Sequence, residues 1–127
     1  MSEPIAHVEL LVGKEKAVLR LKKHLSPTVF SALILKLPLS SYAIRLGDLL
    51  VIRVGIAKAD VPKVKDIEDG DVIYDPMQDS LIVYLSSDQK KAGRWVKLGE
   101  VIKGLENLKS IQKSSPAILR ELKGSTK

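Results

Sequence analysis

The stretch Gly93-Arg94-Trp95-Val96-Lys97-Leu98-Gly99-Glu100-Val101-Ile102-Lys103-Gly104-Leu105-Glu106-Asn107-Leu108-Lys109-Ser110-Ile111 decides the fold reading. Trp95 to Leu98 reads as a strand, Gly99 interrupts it, and a second short strand follows as far as Lys103. Gly104 is a break. Beyond it Leu105, Leu108 and Ile111 recur at three-residue spacing, which predicts one or two turns of amphipathic helix.

Upstream of this stretch, Ser86 to Gly93 is polar and reads as an exposed loop. Before it, Leu81 to Leu85 is a continuous apolar run of strand length, the pattern of a central strand covered on both faces. Pro76 to Ser80 makes the turn into that run. Val61 to Ile67 and Val72 to Asp75 are strand segments flanking Glu68-Asp69-Gly70-Asp71. Tyr42 to Leu46 and Leu49 to Val54 are rich in β-branched and aliphatic residues, and Gly47-Asp48 between them is a turn pair. Ser26-Pro27 signals a helix start, with the hydroxyl expected to accept an orphan backbone N–H and proline in the first turn. Val29, Phe30, Leu33 and Leu37 would form its buried stripe, and Pro38 ends it.

The chain opens on a β-hairpin. Ala6, Val8, Leu10 and Val12 alternate with His7 and Glu9; after the loop Gly13-Lys14-Glu15, Ala17, Leu19 and Leu21 alternate with Lys16, Arg20 and Lys22. Downstream, Pro116 to Leu122 is ambiguous. Ser115-Pro116 and Gly124 are helix signals at its two ends, while Ile118, Arg120 and Leu122 alternate with their neighbours. Without repeats or linkers, the pattern predicts one mostly β domain over residues 1–127 with one or two short helices.

The Gly93 to Ile111 stretch resembles the C-terminal signature of cyclophilins, Gly-Lys-His-Val-Val-Phe-Gly-Lys-Val-Val-Glu-Gly-Met-Asp-Val-Val-Lys-Lys-Ile, without a gap and with all three glycines kept. Ser26-Pro27-Thr28-Val29-Phe30-Ser31-Ala32-Leu33 resembles the first cyclophilin helix, which also follows a hairpin. The whole chain, over roughly residues 5–122, resembles the small cyclophilin-like proteins of bacteria and archaea. In those a segment like Gly70-Asp71-Val72-Ile73-Tyr74-Asp75-Pro76 precedes a strand like Leu81 to Leu85, and the helix ends in Leu-Pro-Leu, as Leu37-Pro38-Leu39 does here. The resemblance implies a closed, mostly antiparallel β-barrel capped by helices, with the last strand beside the first. Ala117 to Leu122 is then a strand.

Composition narrows the function classes. With 127 residues, 45% hydrophobic and 28% charged, the chain suits one folded domain rather than a disordered one. Zero cysteines exclude a disulfide framework, a thiolate metal site and a thiol nucleophile. The longest apolar stretch, Val29 to Leu39, is interrupted by Ser31 and Lys36 and is far shorter than the roughly 20 residues of a membrane span. Met1-Ser2-Glu3-Pro4 lacks the basic-then-apolar pattern of an export signal. The expectation is a cytoplasmic protein without membrane contact.

The net charge of +6 is unevenly placed. Residues 14–65 carry 11 basic and 3 acidic side chains, residues 66–88 carry seven acids and no base, and residues 89–127 carry ten basic and three acidic. The basic blocks would suit nucleic acid by counterion release, but Phe30, Tyr42, Tyr74, Tyr84 and Trp95 form no aromatic cluster of the kind single-strand readers use. No metal site is expected from His7 and His24. A calcium loop fails because Gly70 stands where an oxygen ligand is needed and no bidentate Glu closes the set. Gly99 to Gly104 lacks the Lys and Ser/Thr of a phosphate loop. No Gly-x-Ser-x-Gly elbow exists, and no cofactor is expected.

Cyclophilins isomerise X–Pro bonds, crossing a barrier of about 18–20 kcal/mol with the help of a strand arginine. Their third-strand motif Phe-His-Arg-Val-Ile is echoed only in Tyr42-Ala43-Ile44-Arg45-Leu46, so the resemblance makes Arg45 the catalytic candidate. The downstream Phe-Met-Ile-Gln-Gly-Gly is missing, Gly-Ser-Gln-Phe-Phe-Ile becomes Asp79-Ser80-Leu81-Ile82-Val83-Tyr84, and the groove histidine is Trp95. An arginine without its supporting shell positions a substrate poorly. The expectation is therefore a cyclophilin-like module binding a peptide or small molecule at Arg45, Tyr84 and Trp95, as monomer or homodimer. The alternatives are a weak prolyl isomerase and a basic nucleic-acid binder. Each residue also has a structural reading: Arg45 as a solvated strand arginine with its stem packed, Tyr84 at the core edge, Trp95 shielding the barrel end.

Overall fold

The alternation that predicts the opening hairpin produces β1 (Ile5–Val12) and β2 (Glu15–Lys22), paired antiparallel through the turn at Gly13-Lys14. The computed structural model describes residues 5–58, 63–64, 68–86 and 94–122, without the side chains of 63–64 and 94–95. Strands β3 (Leu39–Leu46), β4 (Leu49–Arg53), β5 (Lys63–Val64), β6 (Asp71–Asp75), β7 (Ser80–Tyr84), β8 (Arg94–Lys103) and β9 (Ser115–Glu121) complete the sheet. Neighbours run β2-β1-β9-β3-β4-β7-β6-β8, and β2 pairs with β8 to seal the ring. The result is a closed eight-stranded antiparallel barrel with two short helices. Closure leaves no open edge in the ring, and β5 lies outside it on β8.

The last strand does lie between the first and the third. Ser115–Glu121 is a strand because Ala117 and Leu119 fill the interior while Ile118 and Arg120 face out, a split that only period two gives. Leu81, Val83 and Leu85 of the apolar run line the main core. Ile82 and Tyr84 point to the outer face, where they pack with Val51, Ile73 and Leu49 in a second buried cluster. This strand is covered on both sides, as its unbroken apolar run predicts. Each aliphatic side chain so buried contributes about 1.5–3 kcal/mol.

Helix α1 (Pro27–Lys36) sits over one end of the barrel and drives Val29, Phe30 and Leu33 into the core. Leu37 is extended at φ −73°, ψ 145°, so the helix stops ahead of Pro38 as expected. Ser26 does not cap it. Its buried hydroxyl donates to the Lys97 carbonyl at 2.6 Å, because the β2–β8 ladder ends at Gly99 and leaves that carbonyl without a strand partner there. Helix α2 (Leu105–Lys109) approaches β2 near the opposite end, and Leu108 and Ile111 are buried under it.

The expectation of two short strands around Gly99 is corrected: β8 runs through it without a break. Gly99 stands opposite Leu21 and Val72, and a Cβ there would collide with the Arg20 backbone. The glycine is thus a close-approach residue on the sealing seam, not a strand stop. The extra residues that bend β8 lie at the register shifts on either side. Gly104 does end the strand, at φ +88°. Of the strand expected over Val61 to Ile67, the described part is Lys63–Val64; the rest of it, and nearly all of the loop Ser86 to Gly93, lies outside the described residues.

Candidate functional site

The end of the barrel under α1 carries a groove of about 470 Å³ lined by Ile34, Leu37, Pro38, Ile118, Arg120 and Glu121. Its shape follows from chain order. Pro38 turns the chain out of α1 into β3, β3 pairs with β9, and the last helical turn is left above the end of β9. Ile34 and Leu37 form one apolar wall and Ile118, on the outer side of β9, the other.

Arg120 stands directly opposite Glu9 in the β1–β9 ladder. Its Nε donates to Glu9 Oε1 at 2.6 Å, and Lys16 Nζ lies 3.6 Å from Glu9 Oε2. Glu9, on the face that alternation makes wet, is 8% exposed in its side chain because the two cations lie across it, whereas Arg120 remains 58% exposed. The Arg120 hydrogen bond holds the Glu9 carboxyl below the usual range, burial opposes it, and the Arg120 and Lys16 charges add to the lowering. A second carboxylate is clamped at the seam: Glu100 lies 2.8 Å from Arg20 and 3.5 Å from Lys22. Burial pushes its pKa up, but the Arg20 bond and both charges outweigh that and the net shift is downward.

A third polar cluster lies at the same end as α1. The hydroxyl of buried Tyr74 donates to Asp79 Oδ1 at 2.6 Å, and the Ile56 and Ala57 amides donate to the same oxygen at 3.0 Å. Asp79 and Ala57 adopt φ of +53° and +52°, the left-handed region. Burial raises the Tyr74 pKa, and the Asp79 bond and charge raise it further. For Asp79 burial acts upward, but the three donors win and its pKa is lowered. The cluster fastens the loop after β4 to the β6–β7 turn, and Lys36 adds a bond from α1 to the Gly55 carbonyl at 2.6 Å.

Arg45 occupies the other end. It shares the inward register of Ala43 and Leu50, and its guanidinium is held at two of its three nitrogens: Nε donates to the Gly47 carbonyl at 2.6 Å, and Nη1 to the Lys109 and Ile111 carbonyls at 2.9 and 2.8 Å. It staples the β3–β4 turn to the end of α2, where cations are favoured. Tyr84 is 1% exposed in the outer cluster. Arg45 and Tyr84 therefore point to opposite faces of the wall and do not meet. Trp95 stands opposite Lys63 in the β5–β8 pairing, and its side chain lies outside the described residues.

Among the described residues no three His, Asp or Glu side chains gather in metal-binding geometry, and no helix is long and apolar enough to cross a membrane. The Glu9–Arg120 pair and the α1–β9 groove had no motif to announce them. The available signal was the adjacency of the first and last strands, which brings their outward residues side by side.

No protein-family model matches the chain, and no curated protein matches it. Solved structures do. The hypothetical protein AF2241 from Archaeoglobus fulgidus superposes with a TM-score of 0.78 at 18% identity, covering 95% of this chain and 98% of that one. McbB, in a structure titled as its complex with tryptophan, superposes with a TM-score of 0.70 at 15% identity, covering 94% of this chain and 46% of McbB. At such identities the likeness is one of fold.

Proposed function

We propose that this chain is a cyclophilin-like ligand-binding module of the cytoplasm, taking a small molecule or short peptide, without efficient prolyl isomerase activity. The observation that carries the reading is the engagement of Arg45. Isomerisation needs a guanidinium aimed at the amide whose resonance is being lost, and this one is bonded to three backbone carbonyls. The α1–β9 groove offers a ligand an apolar lining with two charged side chains, within the usual size of small-molecule sites. McbB, which contains a barrel of this shape within 46% of its length, is described in complex with tryptophan, and that supports small organic molecules as a ligand class to screen. Against the nucleic-acid reading, Lys16, Arg20, Lys22 and Arg120 are already paired with carboxylates.

The test is a protease-coupled isomerisation assay on X–Pro peptides with wild type and Arg45→Ala, run beside a thermal-shift screen of small molecules and short peptides. The expected result is a rate at background for both proteins and a ligand that raises the melting temperature. An Arg45-dependent rate well above background would displace the module reading in favour of an isomerase.

A further inference from the structure

We propose that the outward face of β3 and β9 is the interface between two copies of this chain, packed about a twofold axis close to Tyr42; this goes beyond the ligand reading and does not depend on it. The strand registers assemble the face. Leu11 of β1 stands opposite Ile118 of β9, Ile118 opposite Ser40 of β3, and Pro116 opposite Tyr42. Ile44 and Leu46 then stand opposite Val51 and Leu49 of β4, where the face runs into the buried outer cluster. Tyr42, Ile44, Leu46 and Ile118 are 63%, 46%, 54% and 41% exposed, four of the eight large hydrophobic residues that the described chain leaves in water. Apolar residues scattered singly are ordinary on a surface; four on adjoining positions of two paired strands are a patch.

Charge and area identify what covers it. The outward positions of β3, Ser40, Tyr42, Ile44 and Leu46, are all uncharged, whereas those of β2 include Lys16, Arg20 and Lys22. A twofold contact sets a surface against itself, so in a chain of net charge +6 the face suited to self-association is the one without a run of cations. Charge returns at the rim, as it does in specific interfaces. Arg120, 58% exposed beside Glu9, lies past Ile118 at the α1 end of β9, and Asp48 lies past Leu49 in the β3–β4 turn, diagonally across Tyr42. Rotation about Tyr42 exchanges these two corners and brings the Arg120 guanidinium of one copy to the partner's Asp48. Arg53, the outward residue of β4 after Val51, is carried to the partner's Pro116 and meets no cation. Four strands about 4.8 Å apart and the eight residues of β3, each rising about 3.3 Å, give about 400 Å² in plan. Side-chain relief raises the accessible area toward the roughly 600–800 Å² per partner of the smaller specific interfaces, which sets a dissociation constant on the order of micromolar to tens of micromolar.

The experiment is sedimentation equilibrium of the whole chain from about 1 μM to about 1 mM, on wild type, Tyr42→Lys, Ile44→Lys and Leu35→Lys. Leu35 is 87% exposed on α1, away from the face, and serves as the control. Circular dichroism and the melting temperature of each variant verify its fold, and Ser40→Lys, at an exposed polar position of the same strand, repeats the test if either lysine disturbs the barrel. Wild type is expected to pass from monomer to dimer within this range. Tyr42→Lys and Ile44→Lys should each raise the dissociation constant about tenfold or more, and Leu35→Lys should leave it unchanged. A wild-type chain that stays monomeric up to about 1 mM would overturn the inference. So would a dimer that the β3 lysines leave intact, or one that Leu35→Lys weakens as much as they do.

Discussion

Arg45 should act on stability, and its replacement by methionine isolates that role. Methionine keeps an unbranched stem along the barrel wall and removes the guanidinium with its bonds to Gly47, Lys109 and Ile111. A shielded hydrogen bond from a charged group nets about 1.5–3 kcal/mol. Two of the three bonds here are open to water, and only the one to Ile111 is partly buried. Solvent competition therefore reduces the combined loss to about 2 kcal/mol. For a domain of this length, each kcal/mol moves the melting temperature by about 3–5 °C, so Arg45→Met should melt about 6–10 °C below wild type. Thermal unfolding followed by far-ultraviolet circular dichroism reads the shift. Hydrogen exchange should show the α2 amides opening faster while β6 and β7 are unchanged, since the staple holds α2 and makes no bond to that hairpin. A variant melting within about 1 °C of wild type would refute the argument, because the guanidinium would then be holding nothing.

Three further outcomes follow from the geometry. Gly99→Ala should force β2 from β8 at the sealing seam, costing about 3 kcal/mol or more, and a urea midpoint equal to wild type would dismiss the close-approach role. Glu9, Glu100 and Asp79 all have lowered folded pKa values, so their contribution is fully present above the unfolded carboxylate range and is lost as pH falls through the folded values. Stability measured from about pH 6 to pH 3 should fall, and Glu9→Gln should flatten that fall; parallel profiles would count against the Glu9 clamp. Tyr74→Phe removes one of three donors to Asp79 Oδ1 and should cost about 1–2 kcal/mol, read by urea unfolding, with no loss indicating that water replaces the hydroxyl.

How far the fold and site can be read from sequence depends on whether the causes are local. Ala6, Val8, Leu10 and Val12 announce β1 because side chains alternate on any strand, and Pro27 and Pro38 bracket α1 because proline restricts its own neighbours. Leu81 to Leu85 announces a doubly covered strand for the same local reason. Gly99 misleads. A lone glycine in an apolar run looks like a stop, whereas its cause is the Arg20 backbone on a strand distant in sequence. Arg45 misleads differently: its partners are main-chain carbonyls of Lys109 and Ile111, which leave no trace in side-chain identity. The groove fails at a further level. That the last strand lies beside the first follows from the cyclophilin-like resemblance, but register does not. With a slip of one residue Arg120 would stand opposite Val8 or Leu10 instead of Glu9, its side chain would turn toward the barrel interior, and the buried carboxylate would have no guanidinium to orient. The Glu9–Arg120 clamp is thus set by the register that the interior residues Ala117 and Leu119 impose on β9, and side chains on the inner face decide which charges meet on the outer one.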